Sequence, residues 1–488
     1  MTKKALIVGS GIAGIAASIR LAAKGYQVEV FDANTYPGGK LSQIESDGYR
    51  FDAGPSLFTM PELVDELFLL AGKKPDEFFE YEKLEVICRY FWEDGTKLSA
   101  WADVNRFAEE VEIKLGEPAA HIREALNQSA FIYGHLAPLF LEKSLHRLST
   151  WTGPKAMQSY LKMGKLGIFT TMNTANEKQC SHPKLVQLFN RYATYNGSDP
   201  YQTPATLNII PHLEFNRGAF FPKNGMHDIT TSLFRRAQSL GVTFHFNSKV
   251  EEILVEDGKA VGLSAQGKKF PADVVVNNMD MVNAYKTILR KQKQPKMLLN
   301  QPKSSSALIF YWGVKAVFPE LELHNILFSE DYQAEFAHIF KHGTIYHDPT
   351  VYINITSVHK PDDAPPGCMN WFTMINVPNN QGQDWDLLIA EARKNVIAKI
   401  NRVLKTDLES LIEVEEILDP RSIEKKTSSA QGALYGNSSN NRFAAFLRHA
   451  NYSSSIKDLY FCGGSVHPGG GIPLSLLSAK IMSEMIGQ

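Results

Sequence analysis

Two glycine-rich segments, one near each end of the chain, hold the residue types best suited to chemistry. Gly9-Ser10-Gly11-Ile12-Ala13-Gly14 lies between a short apolar stretch, 5–8, and an alanine-rich stretch. Gly9 suits a tight turn, Gly11 lets the backbone approach a pyrophosphate, and Gly14 lets a helix pack closely on a strand. Unpaired N–H groups at the start of such a helix favour phosphate. Asp32 closes the next apolar stretch, where a carboxylate can accept from a ribose hydroxyl. At the other end, Gly463, Gly464, Ser465, Gly469, Gly470 and Gly471 crowd in ahead of Ile472 and Pro473. A plain strand and helix need no such density of glycine.

Two further small-residue segments lie between. Tyr36-Pro37-Gly38-Gly39-Lys40 allows a backbone turn close against a bound group, and Asp52-Ala53-Gly54-Pro55-Ser56 allows another. A cofactor approached by so many separated segments is large and deeply buried, as a flavin is, so FAD is expected rather than NAD. No second Gly-x-Gly-x-x-Gly unit is apparent for a nicotinamide, which makes oxygen or a quinone the expected electron acceptor. No Gly-x-Ser-x-Gly, Ser/His/Asp order or paired-carboxylate motif stands out. His324, Asn325 and His467 are the candidates for polar steering or catalysis, each more often a structural residue. Cys88, Cys180, Cys368 and Cys462 form no Cys-x-x-Cys pair, and no His-Glu-x-x-His exists, so no metal is expected.

The elements that must position these residues follow from the apolar pattern. Residues 5–8 read as a strand, 15–24 as a helix with Gly25 as its C-cap, and 27–31 as a second strand. Residues 459–462 form a strand and 474–485 a closing helix. In mid-chain, 241–250 and 272–280 read as strands, the latter ending in Asn278 and Asp280, with a hairpin around Asp257-Gly258 between them. The class is α/β: a Rossmann-like domain with a mixed sheet-plus-helices partner. The first domain is discontinuous, about 1–75, 225–300 and 425–488. The partner domain, about 76–224 and 301–424, is helical in its first part. Strands at 307–312, 350–357 and 370–377 suggest an antiparallel sheet carrying a long apolar cavity.

Composition narrows the partners. The chain has 51 basic and 52 acidic residues and a net charge of −1, which excludes a strong basic field for nucleic acid. No stretch reaches the roughly 18 apolar residues of a membrane span. The first residues lack an apolar signal core, so a cytoplasmic location is expected. The stretch 131–172 mixes large apolar residues with Lys143, His146, Arg147, Lys155, Lys162 and Lys165. It reads either as a membrane-docking face or as amphipathic helices packed on the core.

The combination of the N-terminal fingerprint, YPGGK, DAGPS and GGSVHPGGGIPLSLLSAK resembles the bacterial carotenoid desaturases, the phytoene-desaturase-type flavoproteins. Arg191-Tyr192-Ala193-Thr194-Tyr195-Asn196-Gly197-Ser198-Asp199-Pro200 is similar to a mid-chain signature of that family, as are the segments at 221–226, 324–328, 348–352 and 364–367. Asn224 stands where many members carry glycine. The run DAGPSLFTMP most resembles the 1-hydroxycarotenoid 3,4-desaturase branch. The resemblance implies a glutathione-reductase/amine-oxidase-type fold with FAD. It implies a lipid-soluble carotenoid substrate met at a membrane face, and a backbone contact from Val250 to the adenine. The reaction implied is loss of hydride to flavin N5, then of a proton, beside a polyene. Alternatives on the same fold are a phytoene or neurosporene desaturase, a carotenoid ketolase or aldehyde oxidase, an amine oxidase, and a non-enzymatic flavin or prenyl carrier. The residues expected around the cofactor are Gly9, Ser10, Gly11, Ile12, Ala13, Gly14, Asp32, Ala33, Asn34, Gly38, Gly39, Lys40, Leu41, Gly54, Pro55, Ser56, Leu57, Val250, Asn278, Asp280, Gly464, Ser465, Gly471, Ile472 and Pro473.

Overall fold

A computed structural model describes residues 2–441, 443–444 and 446–487; within 154–160 it describes side chains at 156, 157, 159 and Leu161 beyond, so that of Lys155 lies outside the described residues. The first strand, Lys4–Val8, is the middle of a five-stranded parallel sheet. Val274–Asn277 and then Leu459–Phe461 pair on one side, Gln27–Phe31 and then Thr243–His245 on the other. Three distant parts of the chain therefore build one sheet. Ala5, Leu6 and Ile7 are wholly buried, as strands covered on both faces require.

The first helix spans Ile12–Ala23, starting inside the glycine motif rather than at residue 15. Gly11 is extended at ψ 168° and its carbonyl accepts from Ile15 N at 3.0 Å, which draws Ile12, Ala13 and Gly14 into the first turn. A Cβ on Gly14 would stand 2.1 Å from the Gly9 carbonyl oxygen, so only glycine lets helix and strand approach this far. The last helix, Ile472–Met485, packs beside the first, and Lys24 Nζ reaches the carbonyls of Ser483 and Ile486 at its end.

A seven-stranded sheet forms the second layer. Its order is Ile412–Leu418, Ser306–Val314, Met369–Val377, Val351–Asn354, His324–Leu327, Val86–Phe91, Lys97–Trp101. One departure from expectation lies here. The segment read as helical contributes Val86–Phe91 and Lys97–Trp101, because Ile87, Tyr90 and Phe91 bury β-branched and aromatic side chains in a hairpin. The three strands expected to be antiparallel, Ser306–Val314, Met369–Val377 and Val351–Asn354, are so, while the wider sheet is mixed because His324–Leu327 pairs parallel with Val86–Phe91. Helices Val104–Leu115, Ala119–Phe140, Met172–Gln179 and Pro183–Asn190 lie in this half. The α/β class holds. No helix among the described residues is long and apolar enough to cross a membrane.

Candidate functional site

One cavity of about 1590 Å³ runs between the two layers, far larger than a small-ligand pocket needs. Every residue expected around the cofactor lines it except Ser10 and Gly14. Gly14 is packed beneath Gly9. Ser10 is buried and spent on Asp32, whose Oδ2 accepts from Ser10 N at 2.6 Å and Ser10 Oγ at 2.7 Å. Asp32 Oδ1 accepts from Asn34 N at 2.8 Å, so the turn fixes the carboxylate at the cavity's edge. His324 and His467 also line the cavity, whereas Asn325 does not. The Asn325 amide is used up on Glu322 and the Ile353 carbonyl, a structural role.

The wall built by the glycine motifs is mostly backbone. The helices starting at Ile12 and Ile472 have Gly11 and Gly471 as N-caps, with no side-chain cap on either. Both helix starts therefore turn unsatisfied N–H groups and a partial positive charge to one space. A Cβ at Gly54 would stand 1.8 Å from the Lys40 carbonyl oxygen, so the two small-residue turns cross in contact. Asn278 Nδ2 donates to the Gly9 carbonyl at 3.1 Å, and a Cβ at Gly463 would meet its Oδ1 at 2.6 Å. That one amide clamps the N-terminal and C-terminal glycine motifs together. Uncapped helix starts, close backbone and a fixed carboxylate fit the pyrophosphate and ribose of a dinucleotide.

Two charged groups on this wall are buried. Burial pushes the Lys40 ammonium down to about 8 against the pull of Asp280, and its Nζ donates to the carbonyl of Leu434 at 2.8 Å. Burial raises the Asp280 carboxyl, which caps the helix Met281–Lys286 by accepting from Val282 N at 3.0 Å and Asn283 N at 3.3 Å.

The opposite wall is made of side chains, and most of its polar groups escaped the sequence reading. Arg191 Nη2 pairs with Glu214 Oε2 at 3.2 Å with both side chains buried. Arg191 also donates to the hydroxyl of Tyr90, at 2.6 Å from Nη2, and to that of Tyr195, at 2.8 Å. Tyr192 and Tyr195 donate to Glu214. Burial opposes the Arg191 charge, but the surrounding tyrosines and Glu214 hold the guanidinium protonated. Nearby, Ser56 Oγ meets Tyr352 OH at 2.7 Å, and Tyr352 OH meets His324 Nδ1 at 2.7 Å. Residues 191–200 carry only the resemblance to a family signature, and nothing in their spacing points to Tyr90 or Glu214 as partners.

The two cavity histidines differ. His467 Nε2 bonds the Lys143 carbonyl at 2.8 Å, and Nδ1 has no partner among the described residues; burial pushes it down to about 4. His324 is pushed down to about 3 by burial, with His359 and Arg191 adding repulsion. At one end of the cavity Phe140, Trp151 and Phe446 pack ring on ring, with centroids 5.5 to 5.8 Å apart. In the stretch around them, Leu148, Met157, Leu161 and Phe169 are exposed while Ile132, Leu136 and Leu166 are buried. One face of the segment packs on the core and the other carries apolar residues into solvent.

Residues 12–486 match the family of flavin-containing amine oxidoreductases. Over 484 residues, 99% of both chains, the chain is 52% identical to a 1-hydroxycarotenoid 3,4-desaturase of Flavobacterium sp. (strain P99-3). It is 32% identical to a 4,4'-diapolycopene oxygenase of Methylomonas sp, over 99% of this chain and 98% of the other. Among solved structures it superposes on putrescine oxidase bound to putrescine, with a TM-score of 0.63, 15% identity and coverage of 100% and 99%. An oxidoreductase from Methanosarcina mazei superposes with a TM-score of 0.61 and 15% identity, over 99% of this chain and all of the other. The fold is thus shared far beyond detectable sequence identity, and the resemblance to carotenoid desaturases holds over the whole chain. The chain belongs to the flavin-containing amine oxidoreductase family, and FAD is its cofactor.

Proposed function

We propose that this enzyme introduces a C=C bond at the 3,4 position of a 1-hydroxylated acyclic or monocyclic carotenoid, beside the polyene. The observation that carries the reading is one cavity of about 1590 Å³ that joins a glycine-built wall to large apolar side chains such as Leu136, Phe140, Trp151 and Phe372. The end-to-end 52% identity to a protein of that name supplies the substrate. Bound FAD supplies a two-electron hydride acceptor. The chain's own share is to bind, orient and exclude water. The turns Gly9–Gly14 and Gly464–Pro473 and Asp32 would hold the cofactor, with the backbone at Val250 serving its adenine end. Neither cavity histidine is a strong base, since burial leaves His324 near 3 and His467 near 4. A carbon acid beside a delocalised cation needs only a weak one or water.

The parallel-sheet part, about 1–75, 225–300 and 425–488, serves as the cofactor domain and the rest as the substrate domain. The exposed Leu148, Leu161 and Phe169, with Lys143, Lys162 and Lys165 among them, dock a membrane face beside the aromatic end of the cavity. This lets a substrate that dissolves only in lipid enter from the bilayer, with oxygen or a quinone taking the electrons. The test supplies the purified flavoprotein and liposomes with a 1-hydroxylated carotenoid. A red-shifted product lacking two hydrogens is expected. A product that has gained oxygen, as the name of the 32% relative would suggest, overturns the reading.

A further inference from the structure

His324 offers the cavity a nitrogen that the fold leaves without a partner. Its side chain is buried, it lines the cavity, and Nε2 makes no hydrogen bond among the described residues. Its other nitrogen is doubly held. Nδ1 meets Tyr352 OH at 2.7 Å and Asn354 Nδ2 at 3.2 Å. The Asn354 amide nitrogen can only donate, so Nδ1 is an acceptor. Tyr352 then donates to Nδ1 and accepts from Ser56. Burial keeps the ring neutral, with the charges of His359 and Arg191 adding to it. A neutral imidazole whose Nδ1 accepts carries its proton on Nε2. The nitrogen left unpaired is therefore an N–H donor with no lone pair, which cannot take a proton from substrate.

An unpaired donor in an apolar cavity is costly to leave unmade, and it calls for an acceptor from the ligand. A polyene has none except its hydroxyl. One carbon separates the carbon bearing a 1-hydroxyl from the 3,4 bond, so whatever reads the hydroxyl must lie beside the reacting atoms. A hydrogen-bonded relay ties His324 to the glycine-built wall of the same cavity. It runs from His324 through Tyr352 to Ser56, two residues beyond Gly54, where the small-residue turns of the cofactor wall cross.

We propose that the Nε2–H of His324 donates to the substrate's hydroxyl oxygen and so selects hydroxylated carotenoid ends and sets the adjacent bond against the cofactor. The inference rests on the desaturase reading above and names its specificity-determining residue. The test compares kcat/KM for a 1-hydroxylated carotenoid and for the same polyene without the hydroxyl. Wild-type enzyme is expected to prefer the hydroxylated substrate. His324→Asn keeps an acceptor near Nδ1 but removes the distal donor, and should lower that preference on the order of tenfold to a hundredfold. His324→Gln, whose amide reaches further, should restore part of it. Flavin absorbance reports whether each variant retains FAD. If His324→Asn does not fold, Tyr352→Phe frees Nδ1 from one partner and should lower the preference by a smaller factor. An unchanged preference in a flavin-loaded His324→Asn or Tyr352→Phe enzyme overturns the inference. A wild-type enzyme with no preference, or inactive on both substrates, instead overturns the desaturase reading.

Discussion

The two walls of the cavity solve opposite problems with opposite materials. The cofactor wall is backbone: glycines in contact, uncapped helix starts and one asparagine clamp. The facing wall is side chain: an Arg191–Glu214 pair ringed by tyrosines, and a relay ending in His324. Backbone groups held by helix and sheet cannot move without unfolding the element, which suits a resident cofactor. Side-chain networks can be exchanged one member at a time, which suits a wall that chooses substrates.

The largest expected effect tests the backbone wall. Gly54→Ala places a Cβ where only 1.8 Å separates it from the Lys40 carbonyl oxygen. Backbone, not a flexible side chain, is in the way, so the turns must part. Loss of essentially all bound flavin is expected, read from the absorbance of the purified protein. Retention of normal flavin content would show that the crossing turns do not define the cofactor's space.

The side-chain wall should lose stability before it loses cofactor. Arg191→Met strands the Glu214 carboxylate, which the structure buries with two tyrosine hydroxyls. Breaking a buried pair in this way costs about 3–5 kcal/mol. Glu214→Leu combined with Arg191→Met removes the stranded charge and should recover part of the loss. Chemical denaturation of both singles and the double variant checks this as a cycle. A loss in the double variant equal to the sum of the two single losses would mean that the pair is not coupled.

The same contrast decides what could be read from the sequence. The glycine motifs pointed to this wall of the cavity because the constraint is local: a turn, a close approach, a helix start within a few residues. Even there the apolar pattern places the helix start at residue 15, three residues late, since Gly11 and Gly14 mask the first turn at Ile12. The facing wall was silent because its partners are far apart in the chain. Tyr90 lies on a strand that was read as helix, and it meets Arg191 and, through it, Glu214 only after the hairpin Val86–Trp101 joins the large sheet. His324 was marked as a candidate for polar steering, yet its protonated nitrogen follows only from Asn354 and Tyr352 being brought to its other side.

A pH effect cuts across both walls. His324, His449 and His467 are buried and held neutral, chiefly by burial, at about 3, 4 and 4 against an ordinary value of 6.5. The unfolded chain takes up a proton at each as pH falls below about 6.5, and the folded chain does not until near those lower values. Stability is therefore lost as pH falls from about 6.5, by about 2 kcal/mol per histidine at pH 5. Denaturation midpoints at pH 7 and pH 5 measure the sum. His449→Gln should flatten the dependence, since His449 lines neither wall and its removal leaves the cavity alone. A dependence as steep as before would assign the acid loss elsewhere.

The smallest effect separates glycine as a cofactor device from glycine as a chain device. Gly25 follows the end of the first helix with φ at 84°, a left-handed conformation like several in the motifs, but a Cβ there would meet nothing within 4 Å. Gly25→Ala therefore adds backbone strain without a clash, about 1 kcal/mol. Gly25→Asn should cost less, because asparagine tolerates that region. Neither should change flavin content, whereas Gly54→Ala, with no positive φ but a backbone atom in its way, should abolish it. If Gly25→Ala also lost flavin, the cofactor wall would depend on the far end of its helix as much as on the turns that touch the cavity, and the division between the walls would not be one of local backbone contact.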